Sequence, residues 1–388
     1  LKELGKFKEA VNACEKAISI QPNNSAAYSN LGAALKELGK FKEAVNACEK
    51  AISISPKNLE AHHNLALALQ ELGEIKKAIN CFNKLSKIHS NPANAYQNLG
   101  KLYVMLGKRK EAINSYQLAT KHDPKNLSYY YNLSDLDEKI LDTNLKKKID
   151  EIIKKNHYKK KNLAYANFLL SKYELNLKNY EKEFNYLLKG HSHYFESIEK
   201  EYSSDLNYWL NILPKNQELN SINVFNNNTE IVRHDLNPIF IIGVPRCGST
   251  LVEKIIASGS QYVEIGEETG ILSTYVKQKI IQKKPLYSNF KDMQTEFFKR
   301  YEEKNLLHQK NNYIFTDKTL DNFFYIGLIK EIFPNAKVIN CKRTPIASIM
   351  SILKNNLPAI PWTHNLEHIF KYFDIYYKTI ANYEKKIP

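Results

Sequence analysis

The chain has 388 residues, enough for two or three domains, and its 43% hydrophobic content is typical of a globular protein. The formal net charge of +15 favours polyanionic ligands and acidic protein surfaces, although an A/T-rich coding sequence would also enrich lysine. No apolar run is long enough to span a membrane. Five scattered cysteines suit neither a disulfide framework nor a zinc site, so we expect a reducing, cytoplasmic compartment.

The N-terminal part contains an internal repeat. Residues 1–20 and 35–54 are identical, which gives an offset of 34 residues. Leucine-glycine pairs and alanines recur with this period, at Leu4-Gly5, Leu38-Gly39, Leu72-Gly73 and Leu106-Gly107, and at Ala10, Ala44, Ala78 and Ala112. Glycine ends a helix and alanine permits close helix packing, so each unit is predicted to be a pair of antiparallel helices.

This repeat resembles the tetratricopeptide repeat (TPR) over residues 1–134. The resemblance implies an α-solenoid whose concave groove binds a protein or peptide. The sequence begins within a repeat and without methionine, so we expect it to be part of a longer protein whose targeting signal would be unseen.

The pattern loosens over residues 135–215, which we interpret as helical and similar to a degenerate repeat. Lysine runs at 146–148 and 159–161 suggest either a nucleic-acid patch or a solvated helix face. The second is favoured because base-reading and aromatic patterns are absent, so no specific nucleic acid is expected. The polar stretch 216–237 is the predicted linker.

Residues 238–250 combine an apolar run, a turn at Gly243 and a helix from Ser249. The backbone N–H groups of such a loop and of the first helical turn lack intrahelical acceptors, and the helix dipole adds positive charge. Arg246 adds a planar set of donors suited to phosphate oxygens. The segment therefore predicts an anion pocket.

Gly243 and Gly248 have the spacing of a nucleotide P-loop, but Ser249 occupies the lysine position, which disfavours an ordinary ATPase or GTPase. The stretch resembles the 5′-phosphosulfate loop of sulfotransferases, although a chance strand-to-helix turn is the alternative. The resemblance implies a nucleotide-binding loop made by Pro245, Arg246, Cys247, Gly248, Ser249 and Thr250. Cys247 replaces the usual serine, and a thiol nucleophile there is disfavoured because the motif has no histidine.

Residues 263–269 contain Gly-Glu-Glu-Thr, which resembles a segment of protein-tyrosine sulfotransferases. The resemblance implies that Glu268 is the general base, and a hydroxyl nucleophile needs such a group. Without the resemblance, Glu267 and Glu268 would be interpreted as a solvated acidic helix start.

Residues 335–351 are predicted to form a buried strand, a turn and a helix. Arg343 at the strand end and Ser351 eight residues later have the spacing with which sulfotransferases grip a 3′-phosphate. A hydroxyl two helical turns away can converge with a guanidinium on one phosphate. Each residue taken alone would be interpreted as an ordinary surface residue.

Residues 314–322 have a strand-like start followed by polar residues. By resemblance to the tyrosine sulfotransferases, Lys318 would neutralise charge on the bridging oxygen of the leaving nucleotide. A surface lysine is the alternative in a chain this rich in lysine.

The C-terminal half alternates strands at 238–243, near 314 and at 336–341 with helices at 249–258, 322–332 and 346–355. This alternation predicts an α/β domain over 238–388, with a P-loop-like parallel sheet flanked by helices and ligands at the carboxyl ends of the strands. The family's domains continue beyond this point, so the domain is expected to be C-terminally incomplete.

The sequence thus predicts a sulfotransferase that uses 3′-phosphoadenylyl sulfate (PAPS) as co-substrate and no metal. Arg246, Glu268 and Lys318 would be catalytic, and a hydroxyl, with protein tyrosine leading, would be the acceptor. The alternatives are a P-loop kinase, and a TPR scaffold whose nucleotide-binding domain is inactive.

Overall fold

The computed structural model describes residues 7–154, 159–221, 236–259, 262–286, 290–304, 306–307 and 313–386. The chain divides into two compact units, 1–186 and 187–388, and the boundary falls within one helix.

The first unit is a series of antiparallel helices. Their bounds are α1 (Phe7–Ile20), α2 (Ser25–Glu37), α3 (Phe41–Ile54), α4 (Leu59–Glu71), α5 (Ile75–Ile88), α6 (Ala93–Met105), α7 (Arg109–His122), α8 (Leu127–Ser134), α9 (Thr143–Lys154) and α10 (Lys160–Asn176). Asn24 and Asn58 cap α2 and α4, because each side chain accepts a hydrogen bond from a first-turn N–H at 3.0 Å. Gly39 and Gly73 follow these helices with φ of +75° and +76°, which few other residues adopt.

Small residues bring neighbouring helices together. Ala44, Ala78 and Ala112 are fully buried, and a Cβ on Gly32 would lie 2.3 Å from Cys48 Sγ. The predicted helical solenoid is thereby confirmed for this unit, although residues 1–6 of the first repeat lie outside the described part.

Most of the described residues in 135–154 and 159–215 are helical. Helix α11 (Tyr180–Asn207) follows α10 after a short loop in which Lys178 has φ +58°, the conformation that glycine has in the other repeats. It continues as a π-helical turn (Tyr208–Ile212) and a 3-10 turn (Leu213–Lys215). In the first lysine run, Lys146 Nζ lies 3.1 Å from the buried carboxylate of Glu174.

The predicted linker, 216–237, lies largely outside the described residues, since 222–235 are not described. Its beginning forms α12 (Gln217–Ser221), and Leu236 near its end pairs with Tyr313.

The described residues of the second unit contain a parallel sheet of three strands in the order β2-β1-β3. The strands are β1 (Ile239–Gly243), β2 (Thr316–Asp317) and β3 (Lys337–Cys341). Central β1 pairs with β3 along its whole length and with β2 at only two residues. Phe240, Ile241 and Ile242 are fully buried, since both faces of the sheet are covered. The predicted fold of this domain is confirmed.

Helices flank the sheet and carry the site. They are α13 (Ser249–Ala257), α14 (Ile271–Ile281), α15 (Phe290–Glu303), α16 (Ile326–Ile332), α17 (Pro345–Lys354) and α18 (Leu366–Lys386). The sequence prediction of a helix over 322–332 was inaccurate at its start, because Leu320–Tyr325 is a 3-10 turn in which Asn322 N donates to Thr319 O.

Candidate active site

A cavity of about 700 Å³ opens at the carboxyl ends of β1 and β3. Its lining includes the loop residues Pro245, Arg246, Gly248, Ser249 and Thr250, and also Glu268, Asp321 and Arg343. Four segments that are separated in the sequence, at 245–250, 268, 321 and 343, therefore contribute polar side chains to one cavity.

The loop after β1 is shaped by close packing. A Cβ on Gly243 would lie 2.7 Å from Cys247 Sγ and 2.9 Å from Cys341 O, so only glycine fits there. Arg246 and Gly248 have φ of +69° and +102°, and α13 begins at the next residue. The first N–H groups of α13 have no intrahelical acceptor and lie at the cavity, which makes this end suited to an anion.

Two arginines connect the loop to the end of β3 and to α17. Arg246 Nε donates to Ser351 Oγ at 3.2 Å, and Arg343 Nη1 donates to the backbone oxygen of Arg246 at 3.1 Å. Both arginines are exposed, so their charges face solvent and the cavity. The structure thus brings Arg246, Arg343 and Ser351 together.

Glu268 and Lys318 form an ion pair with 3.4 Å between Lys318 Nζ and Glu268 Oε1. The side chain of Glu268 is 65% exposed, whereas that of Lys318 is 8% exposed. The lysine is therefore enclosed by its neighbours, while the carboxylate is accessible from the cavity.

Cys247 is placed differently from the other loop residues. Its side chain is buried and packs over Gly243, next to Cys341, rather than lining the cavity. Its backbone N–H donates to Val244 O at 3.2 Å. Cys247 therefore stabilises the loop through its packing and its backbone hydrogen bond, and its side chain does not contribute to the cavity.

The cavity lining also includes a set of apolar residues, here called the apolar wall. It contains Trp209, Leu320, Leu357, Ile360, Pro361, Trp362 and Tyr372. The rings of Trp362 and Tyr372 stack with centroids 3.9 Å apart and 15° between their planes. Asp321 also lines the cavity, and burial raises its pKa to about 7.

Sequence reasoning did not assign Asp321 or the aromatic wall. Asp321 lies within the polar segment after β2, so its position at a strand end was a usable signal. The aromatic residues of the wall are at positions 209, 362 and 372, which no local pattern connects. Both tryptophans of the chain, Trp209 and Trp362, belong to it.

Among the described residues, no group of three or more histidine, cysteine, aspartate or glutamate side chains is arranged to hold a metal ion. Within the same part of the chain, no helix has both the length and the apolarity needed to cross a membrane.

Comparison with known families assigns both parts of the chain. Residues 238–387 match the Sulfotransferase family, while 1–39, 35–99 and 93–126 match tetratricopeptide repeat families. The chain therefore consists of N-terminal tetratricopeptide repeats and a C-terminal domain of the sulfotransferase family.

A curated relative, an uncharacterized protein of Aquifex aeolicus (strain VF5), is 27% identical over 216 residues, which is 52% of this chain. The chain spans only 27% of the length of that relative. Among solved structures, MamA is 24% identical, with a TM-score of 0.35 over 46% of this chain and 94% of its own. The Pseudomonas aeruginosa pilF structure is 17% identical, with a TM-score of 0.40 over 53% of this chain and 88% of its own.

Proposed function

We propose that this chain transfers the sulfuryl group of PAPS to a hydroxyl acceptor. The observation that carries the proposal is the convergence of Arg246, Glu268 and Arg343 on one cavity that also contains the start of α13. The matched family supports a sulfotransferase, and its members generally use PAPS.

The nucleotide would bind at the charged end of the cavity. The 5′-phosphosulfate would lie against Gly248, Ser249 and Thr250, where helix N–H groups and Arg246 supply donors. Arg343 and Ser351 would hold the 3′-phosphate. In the described structure Arg343 donates to the backbone oxygen of Arg246, and Ser351 Oγ accepts from Arg246 Nε. A bound phosphate would replace that backbone oxygen as the acceptor for Arg343 and would accept a hydrogen bond from the Ser351 hydroxyl.

The chemistry needs a proton acceptor and a stabilised leaving group. Glu268 would accept the proton of the acceptor hydroxyl as its oxygen forms a bond to sulfur. The bond between sulfur and the bridging oxygen would break with its electron pair on the nucleotide, and Lys318 would neutralise that charge. The ion pair supports this assignment, because Lys318 Nζ lies 3.4 Å from Oε1 of Glu268, a residue that lines the cavity.

The acceptor is proposed to be a protein tyrosine. The Gly-Glu-Glu-Thr segment and the aromatic wall favour a phenolic ring. The repeats over 1–134 would bind the protein partner or substrate in their groove, and 238–388 would be the catalytic domain.

The proposal is tested by incubating the protein with PAPS and an acidic peptide containing one tyrosine. We expect one sulfate per peptide by mass spectrometry, and none on a peptide with phenylalanine instead. Nucleotide-dependent labelling of a sugar but not the peptide would retain the sulfotransferase and reject the tyrosine acceptor.

The two alternatives give different results. A P-loop kinase would bind ATP with magnesium more tightly than 3′-phosphoadenosine 5′-phosphate (PAP). An inactive domain fused to a TPR scaffold would bind a protein partner but neither nucleotide.

A further inference from the structure

Two buried carboxylates lie behind the Glu268–Lys318 pair and do not line the cavity. Glu253 on α13 is 2% exposed, and Asp317 at the end of β2 is fully buried. Burying a charged group is costly unless hydrogen bonds compensate, so such residues need an explanation.

Glu253 lies on α13, the helix that follows the loop 243–248, which we call the anion loop. It connects this helix to the segment that carries Glu268. Its Oε1 accepts a hydrogen bond from Thr316 Oγ1 at 2.7 Å and from the backbone N–H of Glu267 at 3.2 Å. Thr316 Oγ1 in turn accepts from the N–H of Gly266 at 3.1 Å. One carboxylate thereby fixes the backbone on the N-terminal side of Glu268.

Asp317 fixes the other side. Its Oδ2 accepts from Thr269 Oγ1 at 2.6 Å and from the hydroxyl of buried Tyr301 at 2.8 Å, and its Oδ1 accepts from the N–H of Thr319 at 3.0 Å. Thr269 and Thr319 are the neighbours of Glu268 and Lys318 in the sequence.

The backbone between the two carboxylates completes the connection. The N–H of Lys318 donates to Glu267 O at 2.7 Å. A Cβ on Gly266 would lie 1.9 Å from Thr316 O, so the two segments are in direct contact. Glu267 has φ +51°, a conformation that is unfavourable without such support.

We propose that Glu253 and Asp317 are positioning residues that hold Glu268 and Lys318 in register with each other and with the anion loop. We call these hydrogen bonds of Glu253 and Asp317 the brace, and its effect on catalysis rests on the proposed function. The side chain of Glu268 is exposed, so its position depends on its backbone being fixed. A displacement of a catalytic group by about 1 Å costs roughly 100-fold in rate.

The test uses the two threonines, because valine removes the hydroxyl at almost constant volume and serine retains it. We expect Thr316→Val and Thr269→Val in the full chain to lower kcat about 10- to 100-fold while the Kd for PAP changes less than about twofold. Thr316→Ser and Thr269→Ser should restore most of kcat. Thr295→Val, on the exposed surface of α15, is the matched control.

The brace would be refuted if the valine variants had the kcat of wild type, or if the serine variants lost as much kcat as the valine variants. Either result would leave the proposed function unaffected. If the wild type shows no turnover, the proposed function fails, and the brace is judged by amide hydrogen exchange. Exchange at 266–268 and 318 must then quicken in both valine variants and not in the serine variants, and unchanged exchange would reject it.

Discussion

Glu268 and Lys318 carry opposite charges 3.4 Å apart, yet their surroundings differ sharply. The Lys318 side chain is 8% exposed and enclosed by its neighbours, whereas the Glu268 side chain is 65% exposed and accessible to a ligand in the cavity. This difference suits an enclosed cation that stabilises charge and an accessible base, in keeping with the separate roles proposed for them.

Replacing the proposed base tests that separation. Glu268→Gln keeps the shape but cannot accept a proton, so kcat for sulfuryl transfer should fall about 100- to 1,000-fold with little change in the Kd for PAP. Glu267→Gln is the matched control, because Glu267 has an exposed side chain and contributes through its backbone. Equal loss in both variants, or none in Glu268→Gln, would refute the assignment.

Asp321 gives a pH prediction. Its pKa is raised by burial from 3.8 to about 7, so the folded state holds a proton that the unfolded state releases. Stability of the second unit should therefore fall as pH rises from about 4 to 7, and the full cost should be present above pH 7.

Asp321→Asn removes this cost. We expect its stability relative to wild type to increase between pH 4 and pH 7 and then to level off. Denaturant unfolding followed by tryptophan fluorescence measures this, since both tryptophans lie in the second unit. Glu302→Gln, exposed on α15, serves as the control, and a pH-independent effect of Asp321→Asn would contradict the prediction.

At the scale of elements, sequence patterns succeeded where the determinants are local. The solenoid followed from one repeat, and β1 and β3 followed from buried apolar runs that end at glycine or at a basic pair. Strand β2 was harder to predict. It has only two residues, and Tyr313 and Phe315 just before it form isolated parallel bridges with Leu236 and Glu264. Pairing with residues 236 and 264 is a property of the folded chain.

The close approach of residues 264–268 to β2 gives a stability prediction. In Gly266→Ala the new Cβ would lie 1.9 Å from Thr316 O, a backbone atom that cannot move away cheaply. We expect a loss of about 1–3 kcal/mol in the free energy of unfolding, measured by tryptophan fluorescence. Gly259→Ala is the control, because its Cβ would approach Ile256 O only to 3.2 Å. Equal stability of the two variants would show that the contact is dispensable.

At the scale of the whole molecule, the candidate site is formed by segments that are far apart in the sequence. Arg246, Glu268, Lys318, Arg343 and Ser351 were selected by their resemblance to sulfotransferase motifs, and the structure places them within one region. The buried Glu253 and Asp317 and the wall of Trp209, Trp362 and Tyr372 were not selected. Their importance comes from partners far along the chain, which single-sequence patterns do not report.

The net charge of +15 attracts any polyanion, so binding of a nucleotide alone is weak support for a sulfotransferase. A preference for a nucleotide that carries a 3′-phosphate over one that lacks it is more specific support. Arg343 and its neighbour Lys342 carry the same charge, but Lys342 pairs with Glu384 at 2.8 Å and does not line the cavity.

The most direct test is calorimetric titration of PAP and of adenosine 5′-phosphate, which lacks the 3′-phosphate, into wild type, Arg343→Ala and Lys342→Ala. We predict that wild type and Lys342→Ala bind PAP at least about 10-fold more tightly than adenosine 5′-phosphate, and that Arg343→Ala loses this preference. Equal affinity of the wild type for the two nucleotides, or tighter binding of ATP with magnesium, would contradict the account.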